Sequence, residues 1–214
     1  MIPRSSGLVG PRPSEYPEPM AVPAKERLTY PEYLALEREH DVRHEFLGGV
    51  AWATAGGSVR HARVKMRLTL HLGGALAGRA CEPFDSDLKV RVLETGFATY
   101  PDLTVVCGGD ERHPEDSHAV TNPTLLAEVL SPSTEAWDRG EKFAQYRRIA
   151  WLRDYLLVRA GEPHIEHYQR QDDGSWRLSD HRAGDIVLLD ALGVSLTVTD
   201  LYSGIPTEDE SAGE

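Results

Sequence analysis

The sequence predicts a mixed α/β (α+β) domain, with a mixed central sheet flanked by helices and β-hairpins. Three stretches carry the prediction. Thr124 to Leu130 is almost continuously apolar, as a central strand covered on both faces is. Val59 to about Ala77 places Val64, Leu68, Leu72 and Ala75 or Leu76 on one helical face. Within Glu82–Leu93, Leu88, Val90 and Val92 alternate with Asp87, Lys89 and Arg91, the period of a half-buried strand.

Taken in order, the chain opens with MIPRSSGLVGPRPSEYPEPMAVP, rich in Pro, Ser and Gly, and residues 1–26 are expected to be disordered. Thr29 is a candidate N-cap, and Glu32 three residues on completes a capping box for a helix to about His40. Val42 to Ala53 reads as a tight hairpin turning at Gly48-Gly49. Gly56-Gly57-Ser58 breaks the chain and caps the second helix. Glu82–Leu93 and Tyr100–Cys107 are the next strands. The polar stretch GGDERHPEDSHAVTNP reads as a surface excursion. After Thr124–Leu130, Ser131-Pro132-Ser133-Thr134 turns into a helix from about Glu135 to Ile149. Asp154–Arg159 is a buried strand, His164–Arg170 pairs with it as a hairpin, and Trp176 and Val187–Thr199 supply the last β pieces. The core order is helix, strand, strand, strand, helix, strand. One domain spans 27–204, and the acidic tail 205–214 is expected to be solvated and disordered.

Composition excludes several classes. No apolar run approaches the roughly 18–20 residues of a membrane span, and the N-terminus lacks the apolar stretch of a signal peptide. Cys81 and Cys107 form no CxxC pair, which suits two reduced thiols in a cytoplasmic protein and gives no structural zinc site. A net charge of −11 argues against a general nucleic-acid coat protein, though not against a local nucleic-acid footprint. There is no GxSxG elbow, no GK[ST] phosphate loop and no HExxH.

Two acids stand where strands should be plain: Asp102 after Pro101, and Glu128 inside LLAEVL. A carboxylate in an apolar strand costs several kcal/mol unless a metal or hydrogen bonds compensate. Lys142, on the helix that follows, can face back toward them. Two carboxylates suit Mg²⁺ or Mn²⁺, with the Val129 carbonyl as a third oxygen, and a lysine beside them could position or deprotonate a water. The plainer alternative is that Asp102 caps a strand end and Glu128 pairs with Lys142. Arg60, Arg63, Lys65 and Arg67, with Arg147, Arg148 and Arg153, could form a nucleic-acid footprint or a solvated face.

These residues resemble the Uma2 (DUF820) family of endonucleases, in the PD-(D/E)XK superfamily, over roughly Thr29 to Tyr202. The marks are RHEFLGG (Arg43–Gly49), GGSVRH (Gly56–His61), SDLKVRV (Ser86–Val92), YPDLTVV (Tyr100–Val106) and EVLSPSTEAWDRGEKFAQYRR (Glu128–Arg148). The resemblance implies a restriction-endonuclease-like core of αβββαβ order and metal-dependent cleavage of nucleic acid, DNA in the first place. It maps Asp102, Glu128 and Lys142 as catalytic residues, the lysine having moved from the strand position now held by Leu130. It adds Glu45 and Asp87 to Asp102 and Glu128 around the metal, and His61 toward phosphate; beside it, Arg60, Arg63 and Lys89 are expected to contact nucleic acid by their charge. Asp87-Leu88-Lys89 also forms a rival D-x-K string. Gly48-Gly49-Val50 departs from the family's Asp-Gly-Glu-like turn. A homodimer is the expectation for cutting two strands. The competing expectations are a catalytically silent nuclease fold that binds nucleic acid or protein, and a hydrolase of another phosphoester.

Overall fold

The computed structural model describes residues 27–54 and 56–206. The expected disordered extensions 1–26 and 205–214 lie outside the described residues, apart from Ile205 and Pro206. Helix α1 (Tyr30–Glu39) starts with the predicted capping box: Thr29 accepts the Glu32 N–H, and the Glu32 carboxylate accepts the Thr29 N–H at 2.7 Å. Strands β1 (His44–Leu47) and β2 (Val50–Ala53) form the predicted hairpin. Its turn residues Gly48 and Gly49 have φ of 59° and 87°, which glycine adopts without strain. Ser58 caps helix α2 (Val59–Leu76) by accepting the His61 N–H. The α2 face Val64, Leu68, Leu72 and Leu76 is buried as its spacing predicted.

The expected single strand Glu82–Leu93 is instead two, β3 (Cys81–Asp85) and β4 (Lys89–Val92), which belong to different sheets. The break is local chemistry: the Asp85 carboxylate accepts the Asp87 N–H, and the Leu88 N–H bonds back to the Asp85 carbonyl. β4 does alternate, yet both of its faces are covered, because α1 lays Tyr30 and Tyr33 over Arg91 and Lys89. β5 (Phe97–Thr99) and β6 (Leu103–Cys107) follow. The expected surface excursion contains β7 (Arg112–His113) and β8 (Asp116–Val120), and β8 pairs in parallel with β4, burying Ala119 and Val120. β9 (Pro123–Leu130) is the predicted central strand.

The next helix is interrupted. α3 (Glu135–Trp137) leads into one π-helical turn, Asp138–Lys142, and then α4 (Phe143–Tyr146). β10 (Asp154–Arg159), β11 (His164–Arg170) and β12 (Trp176–Arg182) complete one sheet; β13 (Ile186–Leu189) and β14 (Val194–Thr197) form a hairpin, and α5 (Val198–Tyr202) replaces the strand end expected there.

The main sheet runs β12-β11-β10-β9-β6-β3 and the second β2-β1-β5-β4-β8-β7. The αβββαβ order is therefore α2, β3, β6, β9, α3–α4, β10, with β9 parallel to β10 and antiparallel to β6. Alternation along β9 divides the core. Leu125, Ala127 and Val129 face α2, the β13–β14 hairpin and α5; Leu126 and Leu130 face the layer between the two sheets, with Tyr146, Tyr155 and Phe97. Glu128 falls on that second face by period two.

The β3–β6 register sets Cys81 opposite Cys107, and the two form a disulfide rather than the expected free thiols. Their spacing in sequence carries no trace of this pairing, and the expectation of a reduced compartment loses its basis. Among the described residues no helix is long and apolar enough to cross a membrane.

Candidate active site

The site begins just before β6 starts. Leu103 pairs with Ala127, so one further step would set Asp102 beside Glu128. Pro101 has no N–H to continue the ladder, and Asp102 leaves it. Its carboxylate takes over, Oδ2 accepting the Val129 N–H at 2.8 Å, while the Asp102 N–H points at Glu128 Oε2 at 3.4 Å. The N–H and C=O of one strand residue leave on the same edge, so the Val129 carbonyl faces this side too.

Lys142 is the centre of the acids. Its Nζ lies 3.0 Å from Glu45 Oε1, 3.0 Å from Glu128 Oε1 and 3.4 Å from Asp138 Oδ1. All four residues are buried, at 6, 5, 4 and 3 % exposure respectively. Asp138 was not anticipated. The π turn widens the helix so that Asp138 and Lys142 both point inward, a device found at functional sites. The only prior sign was an Asp–Lys pair four apart, which on an ordinary helix is a surface ion pair.

Hydrogen bonds fix the acids. Glu45 receives the Trp52 Nε1–H at 3.1 Å, Trp52 being its cross-strand neighbour, and the Thr99 hydroxyl on its other oxygen. Tyr146, fully buried, donates to Glu128 Oε1 at 2.8 Å. Lys142 and Tyr146 thus hold one Glu128 oxygen and leave Oε2 turned toward Asp102.

Burial pushes the Glu128 carboxyl up to about 8; Lys142 works against this, while Asp138, Asp102 and Glu45 add to it. Burial also raises Asp138. At Lys142 burial opposes the charge, but Glu128, Glu45 and Asp138 together hold its pKa well above the ordinary lysine value. The three acids thus favour the ammonium form of Lys142. A charged lysine suits the expected positioning of a water more than its expected deprotonation. Asp102 is lowered: burial would raise it, but His61, the Val129 N–H and Lys65 outweigh that.

The plainer alternative is visible inside this cluster: Asp102 does cap a strand edge, and Glu128 does pair with Lys142. Other expected residues divide. His61 Nε2 lies 3.2 Å from Asp102 Oδ2, so it joins the acids. Lys65, on the same helix, reaches to 3.8 Å from Asp102 Oδ1. Arg63 is exposed. Asp87 does not join the metal set: it sits on the β3–β4 turn, 70 % exposed at its side chain, and pairs with Arg43 at 2.6 Å. Lys89 does not reach toward nucleic acid. It is buried, 3.0 Å from Asp116 and over the Tyr33 ring, which also removes the rival D-x-K reading. Arg60 spends its guanidinium on the carbonyls of Ala160, Gly161 and Pro206. Gly48 and Gly49 line no part of the cavity, so the departure at that turn lies away from the chemistry.

The cavity holds about 210 Å³ and is lined by Glu45, Trp52, His61, Asp102, Glu128, Trp137, Asp138 and Lys142 among others. Its donors are carboxylate oxygens with a backbone carbonyl, the chemistry that suits Mg²⁺ or Mn²⁺. Glu128 Oε2 and the Asp102 carboxylate are the oxygens of this set turned away from Lys142. A second group, His164, Glu166 and Asp180, has ligand atoms within 4.8 Å of one another. It does not suit a cation: His164 Nδ1 accepts from Arg159 and Nε2 donates to Asp180, while Glu166 is forked by Arg139.

The fold has a solved counterpart. A crystal structure described as "a putative nuclease belonging to DUF820", from Anabaena variabilis, superposes with a TM-score of 0.64 at 15% identity, covering 78% of this chain and 93% of that one. Two uncharacterised proteins of Synechocystis sp. are similar along their length. One, slr1290, is 38% identical over 84% of this chain and 93% of its own; the other, sll1609, is 35% identical over 75% and 91%. The Uma2 family profile, described as "Putative restriction endonuclease", matches residues 30–199. With that span covering both sheets and every acid around Lys142, the chain belongs to the Uma2 family.

Proposed function

We propose that the protein is a metal-dependent endonuclease that hydrolyses phosphodiester bonds of nucleic acid, with DNA as the first substrate to test. One observation carries this reading: Asp102 and Glu128 lie side by side at the ends of adjacent strands, against a fixed ammonium. Asp102, Glu128 Oε2 and the Val129 carbonyl would hold Mg²⁺ or Mn²⁺, and Glu45 would assist through water. Such an ion supplies a polarised phosphate and a more acidic water. Lys142 keeps Glu45 and Glu128 apart and in place, and offsets negative charge that would repel a phosphodiester. Tyr146 and Thr99 fix the carboxylate rotamers. A homodimer would offer one site to each strand.

A second reading rests on the same ammonium. Lys142 already satisfies Glu45 and Glu128, as in a catalytically silent fold that only binds nucleic acid or protein. Incubation with plasmid and with single strands, in Mg²⁺, Mn²⁺ or EDTA, separates the two readings. Cleavage that needs the metal and vanishes in Asp102→Ala supports the endonuclease. Cleavage that survives Asp102→Ala rejects this site, and metal binding without cleavage of any nucleic acid favours the silent fold.

A further inference from the structure

Beside the acid cavity lies a second, basic one of about 280 Å³. Arg43, His61 and Lys65 line it with Ser86 and the Tyr100 side chain, whose own hydroxyl donates to Glu37, and Asp102 is its single acid. In a chain of net charge −11, Lys65, Arg43 and His61 beside one lining acid make this the basic side of the site, with Arg43 also paired to Asp87. The groups are held in place. Lys65 Nζ donates to Ser86 Oγ at 3.1 Å, and Arg43 Nη1 to the Ser86 carbonyl at 3.1 Å. Lys65 keeps 28% of its side chain exposed and Arg43 42%, so both can meet a ligand. Asp102, His61 and Tyr100 line both cavities, which places the basic one next to the proposed reacting phosphate.

We infer that this basic cavity is a phosphate subsite, which holds the phosphodiester of the strand adjoining the one that is cut. The inference rests on the endonuclease reading and narrows its substrate to a chain of phosphates rather than a lone phosphoester. Lys65 is the principal contact and Ser86 a hydroxyl donor, with Arg43 at the rim. While Asp102 is unliganded its carboxylate lies 3.8 Å from Lys65 and offsets that charge. Once that charge is committed to a cation, Lys65 loses its one carboxylate neighbour and keeps only the neutral Ser86 hydroxyl, so metal and strand bind cooperatively.

The test compares wild type, Lys65→Met and Lys65→Arg. Binding of an end-labelled oligonucleotide is read by anisotropy over a salt series, with Ca²⁺ present to slow cleavage, and Mn²⁺ binding is read by calorimetry. Lys65→Met is expected to weaken strand binding roughly tenfold, the low end of a charge-assisted hydrogen bond. It should also reduce the slope of log affinity against log salt by about 1. Mn²⁺ affinity should be unchanged or higher, and Lys65→Arg should restore most of the binding. Unchanged strand affinity and slope in Lys65→Met overturn the inference, whatever happens to Mn²⁺. If wild type neither cleaves nor binds any strand, the endonuclease reading has failed, and inorganic phosphate decides the subsite. Thermal stabilisation by phosphate in wild type but not in Lys65→Met retains it; equal or absent stabilisation removes it.

Discussion

Lys142→Met is the most informative single change, because the ammonium balances three buried acids at once. Its partners lie at 3.0, 3.0 and 3.4 Å, and none is more than 5 % exposed. Removing one partner of a buried ion pair costs about 3–5 kcal/mol, since the other charge is left without compensation. For a domain of this size that corresponds to a fall of roughly 6–20 °C in Tm. The loss should depend on pH. Glu128 is already raised to about 8, and burial raises Asp138. A carboxyl whose folded pKa is raised favours the fold at low pH, and that contribution is lost as pH rises through the folded value. Lys142 acts in the opposite sense on these acids, and its own raised pKa keeps its contribution intact well past neutrality. The variant should therefore be most destabilised at pH 8 and much less so near pH 5. Melts followed by circular dichroism at the two pH values measure this. Equal Tm for variant and wild type at pH 8 would refute the picture of a desolvated, ammonium-centred cluster. A pH-independent loss would show that packing, not charge, is at stake.

Tyr146→Phe removes the hydroxyl that fixes Glu128 Oε1 and should cost about 1–2 kcal/mol while lowering kcat more than it raises KM; steady-state cleavage kinetics would show the split. At Gly57 an added Cβ would lie 2.4 Å from His61 Nδ1. Gly57→Ala should displace the His61 ring from Asp102 and depress cleavage while Tm moves little, as melts and plasmid assays side by side would show. Reducing Cys81–Cys107 opens a loop whose ends are 26 residues apart and should lower stability by about 3 kcal/mol; denaturant titration with and without reductant reads it.

The sequence made the centre of the site legible because strands are informative about acids. Asp102 and Glu128 stood in apolar runs where only a compensated charge survives, and Lys142 was the cation within reach. Glu45 came only from resemblance, since an acid in a hairpin is ordinary. Asp138 stayed hidden because a π turn has no sequence period of its own, and on a regular helix the same residue faces water. Lys89 and Asp87 were misplaced for a single reason. Alternation locates the two faces of a strand but not what covers them, and it runs unbroken through SDLKVRV although the backbone turns at Ser86. Arg60 shows the same limit on a helix, where its carbonyl partners lie about 100 residues or more away in the chain.

The acids around Lys142 do not belong to one sheet. Glu128 is on β9 of the main sheet, Glu45 on β1 of the second, and Lys142 reaches both. The site is thus a clasp between two layers that each have a separate set of strand hydrogen bonds. If the β1–β2 hairpin swings away, Glu45 leaves with it, and the chemistry is dismantled while the β9–β10 core stays folded. Catalytic competence and global stability then become separable quantities. Amide exchange in β1 and β2 would track the first, and exchange in β9 the second.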